Sequence, residues 1–329
     1  MKNTKKTDWK QAAFIISALA LAGFTADATA GGDVLRIPDG ALASGMAQAL
    51  VSAPGSVDSI TYNPASLGAI GGIQYTAMFT KWAMGYNAWY TALAYPLDAI
   101  GTIGASLKFL GTAFPRIDPS GNIGRDLHAE SWAITAGFGK SFKGKNLGLN
   151  VKYVNDMYQN YSFSSIAFDA GGSTVLPLNQ KFDVGLGLAV RNLGANLGKS
   201  RASAAAISLP MNGAIGATLI LKGSEKNAFN LTAEVDSTMP EFDSKIMIAA
   251  EYGYKSVLFL RGGYAKRLAG EGTWSFGAGL KVSLSKFGKA SKMGNYDLLA
   301  NFGGISFKDQ FNQYALCFSV SLLEKPKAR

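Results

Sequence analysis

The stretch Tyr314-Ala-Leu-Cys-Phe-Ser-Val-Ser-Leu322 alternates apolar side chains with small or polar ones. Successive side chains of a β-strand point to opposite faces, so this segment has one apolar face and one polar face. The apolar face suits lipid and the polar face suits a wet lumen. The two faces are Tyr314, Leu316, Phe318, Val320 and Leu322 on one side, and Gln313, Ala315, Cys317, Ser319 and Ser321 on the other.

The same alternation recurs in residues 229–236 and 274–283 and in about fourteen stretches altogether. The predicted strands are 73–82, 87–95, 100–109, 129–142, 147–156, 162–176, 182–192, 209–221, 228–236, 244–254, 257–265, 274–284, 296–302 and 313–323. We therefore predict an all-β fold, a 14-stranded antiparallel transmembrane β-barrel over residues 71–323. Outer-membrane barrels alternate short periplasmic turns with longer external loops, and the short connection 83–86 and the long connection 285–295 break this pattern. The predicted number of strands is therefore uncertain by about two in either direction.

Composition agrees with a barrel in the outer membrane. Of 329 residues, 48% are hydrophobic and 16% charged, against roughly 25% charged in an average soluble domain. After the first 30 residues there is no apolar run of the ~18 residues that a spanning helix needs. The 39 glycines and 11% aromatic residues suit small lumen-facing positions and aromatic girdles at the two bilayer interfaces.

Residues 1–30 have the layout of a secretory signal peptide. Lysines at positions 2, 5, 6 and 10 precede an apolar region over 12–24, and Ala28-Thr-Ala30 is a small-residue cleavage site. The mature chain is predicted to start at Gly31. The alternative is an uncleaved anchor helix, although the apolar stretch is shorter than a bilayer requires.

Residues 31–70 lack strand alternation and are rich in Gly, Ala, Ser and Pro, which predicts a separate N-terminal segment with a short helix over 41–51. Residues 324–329 follow the last predicted strand as a periplasmic tail. Within the segment, Pro64 restricts Asn63 to extended geometry, and the Asn63 side chain is suited to bonding nearby backbone and closing a tight turn. An ordinary surface turn is the alternative explanation of this motif.

Several motifs make the chain resemble the PorV/PorQ family, whose barrels resemble the FadL fatty-acid channels. The early motifs are Val34-Leu-Arg-Ile-Pro-Asp-Gly-Ala41, Ser44-Gly-Met-Ala-Gln-Ala49 and Tyr62-Asn-Pro-Ala-Ser-Leu67. The later ones are Asn150-Val-Lys-Tyr153, Phe168-Asp-Ala-Gly171, Val190-Arg-Asn-Leu-Gly194, Ala250-Glu-Tyr252 and Leu260-Arg-Gly-Gly-Tyr264. The resemblance implies a fourteen-strand barrel plugged or lined by its N-terminal segment, with Tyr62, Asn63, Pro64 and Ala65 as the plug motif. The chain departs from the family in its tail and in having only Asp58 where paired acidic residues are frequent.

Charged residues on the polar faces of the strands are expected to point inward, because a Lys or Arg facing lipid near the bilayer centre costs ~2–4 kcal/mol. The candidates are Lys108, Lys152, Arg191, Glu234, Glu251, Arg261 and Lys281, together with Asp183 and Asp236. Glu251 and Arg261 would face each other if their hairpin turns near Ser256. Such charges are also consistent with a structural network that fills the lumen and holds the plug.

The residues give little basis for covalent chemistry. One histidine and one cysteine argue against a metal site and against a catalytic triad, so we predict no catalytic residue, no metal and no cofactor. Glycine pairs at 137/139 and 185/187 lack the rest of a phosphate-binding loop and are interpreted as small lumen-facing positions. Without a nucleic-acid-binding module, the formal charge of +10 does not indicate nucleic-acid binding.

Three nonenzymatic functions remain, all in the outer membrane among its lipids. The resemblance favours a shuttle or docking protein of type IX secretion, with secretion proteins or cargo as partners at the external loops 111–128 and 193–208. The alternative is a FadL-like passive channel for a hydrophobic small molecule, with a candidate lateral exit at Phe109, Phe114 and Pro115. A structural barrel with a sealed lumen is the third possibility.

Overall fold

The computed structural model describes residues 29–53, 55–115, 124, 126–159, 161–199, 206–223, 227–239, 243–287, 295–307 and 313–325. Fourteen long strands fall within this described part of the chain. They are β1 (Gln74–Lys81), β2 (Asn87–Pro96), β3 (Thr102–Phe114), β4 (Leu127–Phe142), β5 (Lys145–Tyr158), β6 (Tyr161–Pro177), β7 (Phe182–Gly194), β8 (Met211–Lys222), β9 (Ala228–Met239), β10 (Asp243–Tyr254), β11 (Leu258–Arg267), β12 (Gly272–Ser283), β13 (Tyr296–Phe307) and β14 (Gln313–Glu324).

These strands form one closed barrel in which each strand pairs antiparallel with its neighbours in sequence. The barrel closes between β14 and β1, where Phe318 lies opposite Phe79. The predicted fold class, a 14-stranded antiparallel barrel, is therefore confirmed. We call the end where β1 begins and β14 finishes the terminal end, and the opposite end, where β1 finishes, the loop end.

The alternation of apolar and polar residues in the sequence corresponds to the outward and inward faces of the barrel strands. In β14, Cys317 and Ser319 are buried in the interior while Leu316 and Phe318 are exposed on the outside. Exposed aromatic side chains lie near both ends of the outer surface, with Trp89, Trp274 and Tyr314 towards the loop end and Tyr95, Phe142 and Tyr252 towards the terminal end. A broad apolar outer surface with aromatic girdles is typical of outer-membrane barrels.

The structure differs from the predicted boundaries where turn geometry intervenes. Strand β3 begins at Thr102 rather than residue 100, because the turn before it holds Asp98 at φ 45° and Gly101 at φ 142°. The predicted helix over 41–51 is only α1 (Ala41–Gly45). It stops there because Ala47 and Gln48 adopt left-handed backbone conformations with φ of 51° and 67°.

The N-terminal segment, which we define as residues 31–73, lies inside the barrel. Val34, Ile60 and Leu67 are completely buried, and Leu50 is 1% exposed. These side chains share apolar clusters with inward-facing wall residues such as Tyr90 and Met247. The segment starts near the loop end, where Gly32 donates to Asp156, and reaches the terminal end at Ile73, which meets Glu324. The hydrophobic core of this molecule is therefore the contact between segment and wall.

A small three-stranded sheet lies outside the barrel pairing. Its middle strand, Ala206–Ser208, pairs with Thr29–Ala30 on one side and with Gly198–Lys199 on the other. Both Ala206–Ser208 and Gly198–Lys199 belong to the connection between β7 and β8. Among the described residues, no helix has the length and apolar character needed to span a membrane. Residues 1–28 of the predicted signal peptide and residues 326–329 of the predicted tail lie outside the described part of the chain.

Candidate functional site

The motif at Tyr62, Asn63, Pro64 and Ala65 anchors the N-terminal segment to the wall. Asn63 is extended, with φ −153° and ψ 107°, and caps the 3-10 helix Pro64–Ala69 by accepting a hydrogen bond from the backbone N–H of Ala65 at 3.0 Å. Its amide group donates to the carbonyl of Val51 at 2.6 Å and to that of Gly172 in β6 at 3.1 Å. One side chain thus joins a helix cap, an earlier turn of the segment and the barrel wall.

Polar wall side chains bond the backbone of the segment along its path. Lys108 of β3 donates to the Ile37 carbonyl at 2.5 Å and forms an ion pair with Asp39. Glu234 of β9 accepts from the Val51 N–H at 2.9 Å, and Asn150 of β5 donates to the Ile60 carbonyl at 2.9 Å. These bonds satisfy backbone groups of an irregular chain that is shielded from water.

Inward-facing glycines leave room for the backbone of the segment. A Cβ atom at Gly148 would lie 2.3 Å from the Pro64 carbonyl carbon, and one at Gly187 would lie 2.0 Å from the Val51 oxygen. Comparable contacts occur at Gly139 with the Gly68 nitrogen and at Gly303 with the Ala41 oxygen, at 2.6 and 2.4 Å. Heavy atoms in ordinary contact are about 3.5–4.0 Å apart. These wall positions therefore need glycine, because the backbone of the segment passes too close for any side chain.

The predicted lumen charges fall into separate groups. Lys152 pairs with Asp169 at 2.8 Å, and Arg191 pairs with Asp236 at 2.5 Å. All four side chains lie in the wall of β5 to β9, and all are at least nine-tenths buried. Ion pairing is what makes charges tolerable at such burial.

A second group lies towards the terminal end on β10 to β12. Glu251 faces Arg261 directly across β10 and β11, with Nε and Oε2 2.6 Å apart. Arg261 also donates to Asn301 at 2.8 Å. Lys281 lies near this pair: its Nζ is 5.7 Å from the ring centre of Phe259, and the Arg261 guanidinium carbon lies 5.5 Å from the same ring.

Acidic residues that the sequence analysis did not single out complete these networks. Asp169 accepts from Asn150, from Lys152 and from the backbone N–H of Asn192, each at 2.8 Å. It lies where the register of β6 and β7 shifts between Phe168 and Ala170, so it holds an irregular part of the wall together. Strand alternation from the exposed Phe168 would have placed Asp169 inward. No comparable periodicity exists for Asp39, which lies in the N-terminal segment.

Two ionisable groups of the segment are strongly affected by burial. Burial raises the pKa of Asp58 to about 6, a shift that a hydrogen bond from Thr76 and the charge of Arg261 oppose. Burial also raises the pKa of the Tyr62 hydroxyl well above its usual value. The Tyr62 hydroxyl oxygen accepts a hydrogen bond from the Asp39 N–H at 3.0 Å. A neutral Tyr62 therefore forms part of the packed interior.

The candidate lateral exit is part of a continuous wall in this structure. Phe109 lies between Trp89 of β2 and Trp132 of β4, and the pairing of β3 with β4 runs unbroken from Thr102 to Phe114. Pro115 follows as an exposed residue at the loop end. The described wall has no opening at Phe109, because backbone pairing continues on both sides of it. The side chain of Phe114 and the connection 116–123 lie outside the described residues.

A cavity of about 110 Å³ lies in the interior on the loop-end side of Tyr62, and residues 35–37 of the segment form part of its lining. Its floor includes Asp39, Thr61 and Tyr62, and its rim includes Asp243 and Arg267 at the loop ends of β10 and β11. Below this floor the segment continues towards the terminal end through the buried anchor at Asn63. The interior thus contains this cavity on the loop-end side of Tyr62 and is packed around Asn63 below it.

No protein-family profile matches this sequence, and no curated protein matches it in a sequence comparison. The fold is similar to that of the toluene transporter TbuX of Ralstonia pickettii, with a TM-score of 0.54 and 10% identity over 88% of this chain and 99% of TbuX. The toluene transporter TodX of Pseudomonas putida gives a TM-score of 0.52 and 12% identity over 87% of this chain and 98% of TodX. At such identities these likenesses show a shared barrel fold, and a fold alone does not determine function.

Proposed function

We propose that this chain is an outer-membrane channel for small hydrophobic molecules, closed at rest by residues 31–73 acting as a plug. The observation that carries the proposal is the combination of a closed FadL-like barrel with a segment that fills its interior below Tyr62. In this proposal residues 1–30 are removed as an export signal. The terminal end then faces the periplasm and the loop end faces outward, with membrane lipid around the apolar outer surface.

The contacts of the plug suit a closure that can be displaced. Lys108, Glu234 and Asn150 hold backbone groups of the segment by hydrogen bonds that water can replace. In the proposed channel, these bonds are the attachments that must break when the segment moves. The chain is proposed to move its solute without covalent chemistry.

The experiment that tests this proposal locks the plug to the wall. An ideal Cβ at Gly263 in β11 lies 2.9 Å from the Cβ of Ala47 in the segment. A disulfide prefers about 3.8 Å between Cβ atoms, so the pair Ala47→Cys and Gly263→Cys needs a shift of about 1 Å. Cys317 is the single native cysteine and is replaced by serine in the same variant.

Uptake of radiolabelled toluene is then measured in Gram-negative cells that lack other channels of this fold. We expect the chain to raise uptake above that of the empty vector, and the locked variant to do so only after reduction. Cys317→Ser alone is the matched control and should behave like the unmodified chain. Uptake equal to that of the empty vector would refute the channel, whereas full uptake by the oxidised variant would refute the moving plug.

A second candidate is the docking role in type IX secretion, for which the family resemblance has no matching family profile or curated relative behind it and the filled lumen is the observation in favour. A barrel that holds a cargo domain at its outer surface needs no pore, and the packed interior below Tyr62 suits that requirement. In this case mild crosslinking in native membranes should capture secretion proteins or cargo, and loss of the gene should retain cargo in the periplasm. Normal cargo export in the deletion strain would rule this role out.

A further inference from the structure

The cavity above Tyr62 is lined by more positive than negative side chains. Among the described residues that line it, six are cationic and three are acidic. The cations are Arg36, Lys108, Lys152, Arg191, Lys245 and Arg267, and the acids are Asp39, Asp236 and Asp243. Asp169, which pairs with Lys152, and Glu234, which interacts with Arg191, are two further acidic side chains outside the lining. The deeply buried cations Lys108, Lys152 and Arg191 are therefore paired, and Lys245 and Arg267 near the rim are the cations left for a ligand.

Two of these cations are placed against each other. Lys245 and Arg267 are directly opposite in the register of β10 and β11, and both belong to the inward-facing, cavity-lining set. Directly opposed side chains have Cβ atoms about 4.5–5.5 Å apart, and like charges in that position are destabilising. An anion between them would remove this repulsion.

The acidic neighbours only partly compensate the pair. Asp236 is 2.5 Å from Arg191 but 4.0 Å from Lys245, so one carboxylate serves two cations and Lys245 has the longer contact. Arg267 pairs with Asp243 at 2.9 Å, but its side chain is 57% exposed at the rim. Exposed pairs of this kind contribute little and exchange partners readily. Both cations are thus able to turn towards a ligand.

Size and lining limit the ligand. A cavity of about 110 Å³ has room for roughly eight waters, or for an organic molecule with a similar number of heavy atoms. Ile37, Ala133 and Pro210 add an apolar side to the lining. A ligand that matches both parts has a carboxylate for the cations and a compact apolar body.

We propose that this cavity binds a small organic carboxylate, clamped between Lys245 and Arg267. The site goes beyond the proposed channel function, because binding above Tyr62 requires neither passage through the barrel nor movement of the plug. A negative result in the toluene uptake experiment therefore does not refute carboxylate binding, and absence of carboxylate binding does not refute the channel.

The test is isothermal titration of the detergent-solubilised full chain with sodium benzoate at low ionic strength. Benzyl alcohol has a similar apolar body without the charge, and inorganic phosphate has the charge without the apolar body. We expect saturable binding of benzoate, weakened about tenfold or more by Lys245→Gln or Arg267→Gln and retained in Lys245→Arg. Lys255→Gln, in the exposed turn between β10 and β11 at the opposite end of the barrel, is the matched control and should bind as the unmodified chain does.

The arginine variant also shows that loss of binding in the glutamine variant comes from the missing charge rather than from misfolding. Absence of saturable benzoate binding to the unmodified chain would overturn the proposal. So would equal binding by Lys245→Gln, or equal affinity for benzyl alcohol or for phosphate. Weakening of benzoate binding by added salt is expected, since the clamp lies near the exposed rim.

Discussion

The fit between Gly148 and the Asn63 anchor predicts that a single added methyl group will loosen the N-terminal segment from the wall. In Gly148→Ala the new Cβ would lie 2.3 Å from the Pro64 carbonyl carbon and 2.5 Å from the Ala65 nitrogen. Ordinary contact requires about 3.5 Å, so this backbone has to move by about 1 Å. That shift strains the hydrogen bonds of Asn63 to Ala65 and Gly172.

The magnitude follows from two opposing effects. Overpacking of a rigid contact typically costs about 1–3 kcal/mol. Replacing glycine by alanine in a strand otherwise favours folding by about 0.5–1 kcal/mol, because the unfolded chain loses freedom. Gly213→Ala in β8 is the matched control, since its Cβ would meet nothing within 4 Å. The glycine-to-alanine gain is the same in both variants and cancels, so we expect Gly148→Ala to be less stable than Gly213→Ala by the overpacking cost of about 1–3 kcal/mol.

The assay is unfolding in urea of the refolded barrels in detergent, followed by tryptophan fluorescence, together with hydrogen exchange of the N-terminal segment. Both variants should keep the β-sheet circular dichroism of the unmodified chain without urea. Faster exchange should appear around residues 63–65 only in Gly148→Ala. Equal midpoints and equal exchange in the two variants would refute the idea that the wall is fitted to the segment.

Three further predictions concern buried polar groups. Asn63→Ala should lower the free energy of unfolding by about 3 kcal/mol, because it removes a helix cap and the hydrogen bonds that its amide donates to the Val51 and Gly172 carbonyls. Asn179→Ala, in an exposed turn, should cost under about 1 kcal/mol. The pKa of Asp58 rises from 3.8 to about 6 on folding, so the folded chain binds the extra proton and stability falls as pH rises through that window, by about 3 kcal/mol in all. Asp58→Asn should reduce the pH dependence of urea unfolding between pH 4 and 7 by about that amount. Arg261→Gln leaves the partly buried Glu251 without its ion-pair partner and should lower the free energy of unfolding by about 1–3 kcal/mol in the same assay. Arg267→Gln, at the exposed rim, should lower it by less than about 1 kcal/mol.

Each of these predictions has a contrary outcome. Equal effects of the two asparagine variants would mean that the Asn63 bonds are replaced by water without loss. If the pH dependence of Asp58→Asn equals that of the unmodified chain, Asp58 is not its source. An equal loss of unfolding free energy in the two arginine variants would show that the ion pair of Glu251 and Arg261 contributes no more than an exposed surface pair.

Strand positions and their inward faces were predictable because alternation is a local property of sequence. The extended backbone of Asn63 was predictable for the same reason, since Pro64 restricts its preceding neighbour. The path of the N-terminal segment was not, because it has no period and its bonds join distant positions, such as Gly32 to Asp156. Small lumen-facing glycines were expected at positions 139 and 187, but the passing backbone that requires them is visible only in the folded chain.

The binding energy of a small ligand is comparable with the energy of the bonds that hold the floor of the cavity. The floor at Asp39 is held by the Lys108 ion pair and the Tyr62 hydroxyl, and a buried hydrogen bond to a charged group contributes about 1.5–3 kcal/mol. A small ligand with millimolar to micromolar affinity binds with about 4–8 kcal/mol. A ligand can shift an equilibrium only by the difference in its affinity for the two states. If the N-terminal segment moves as proposed, a ligand in the cavity that interacts differently with its two positions therefore binds with enough energy to bias that movement.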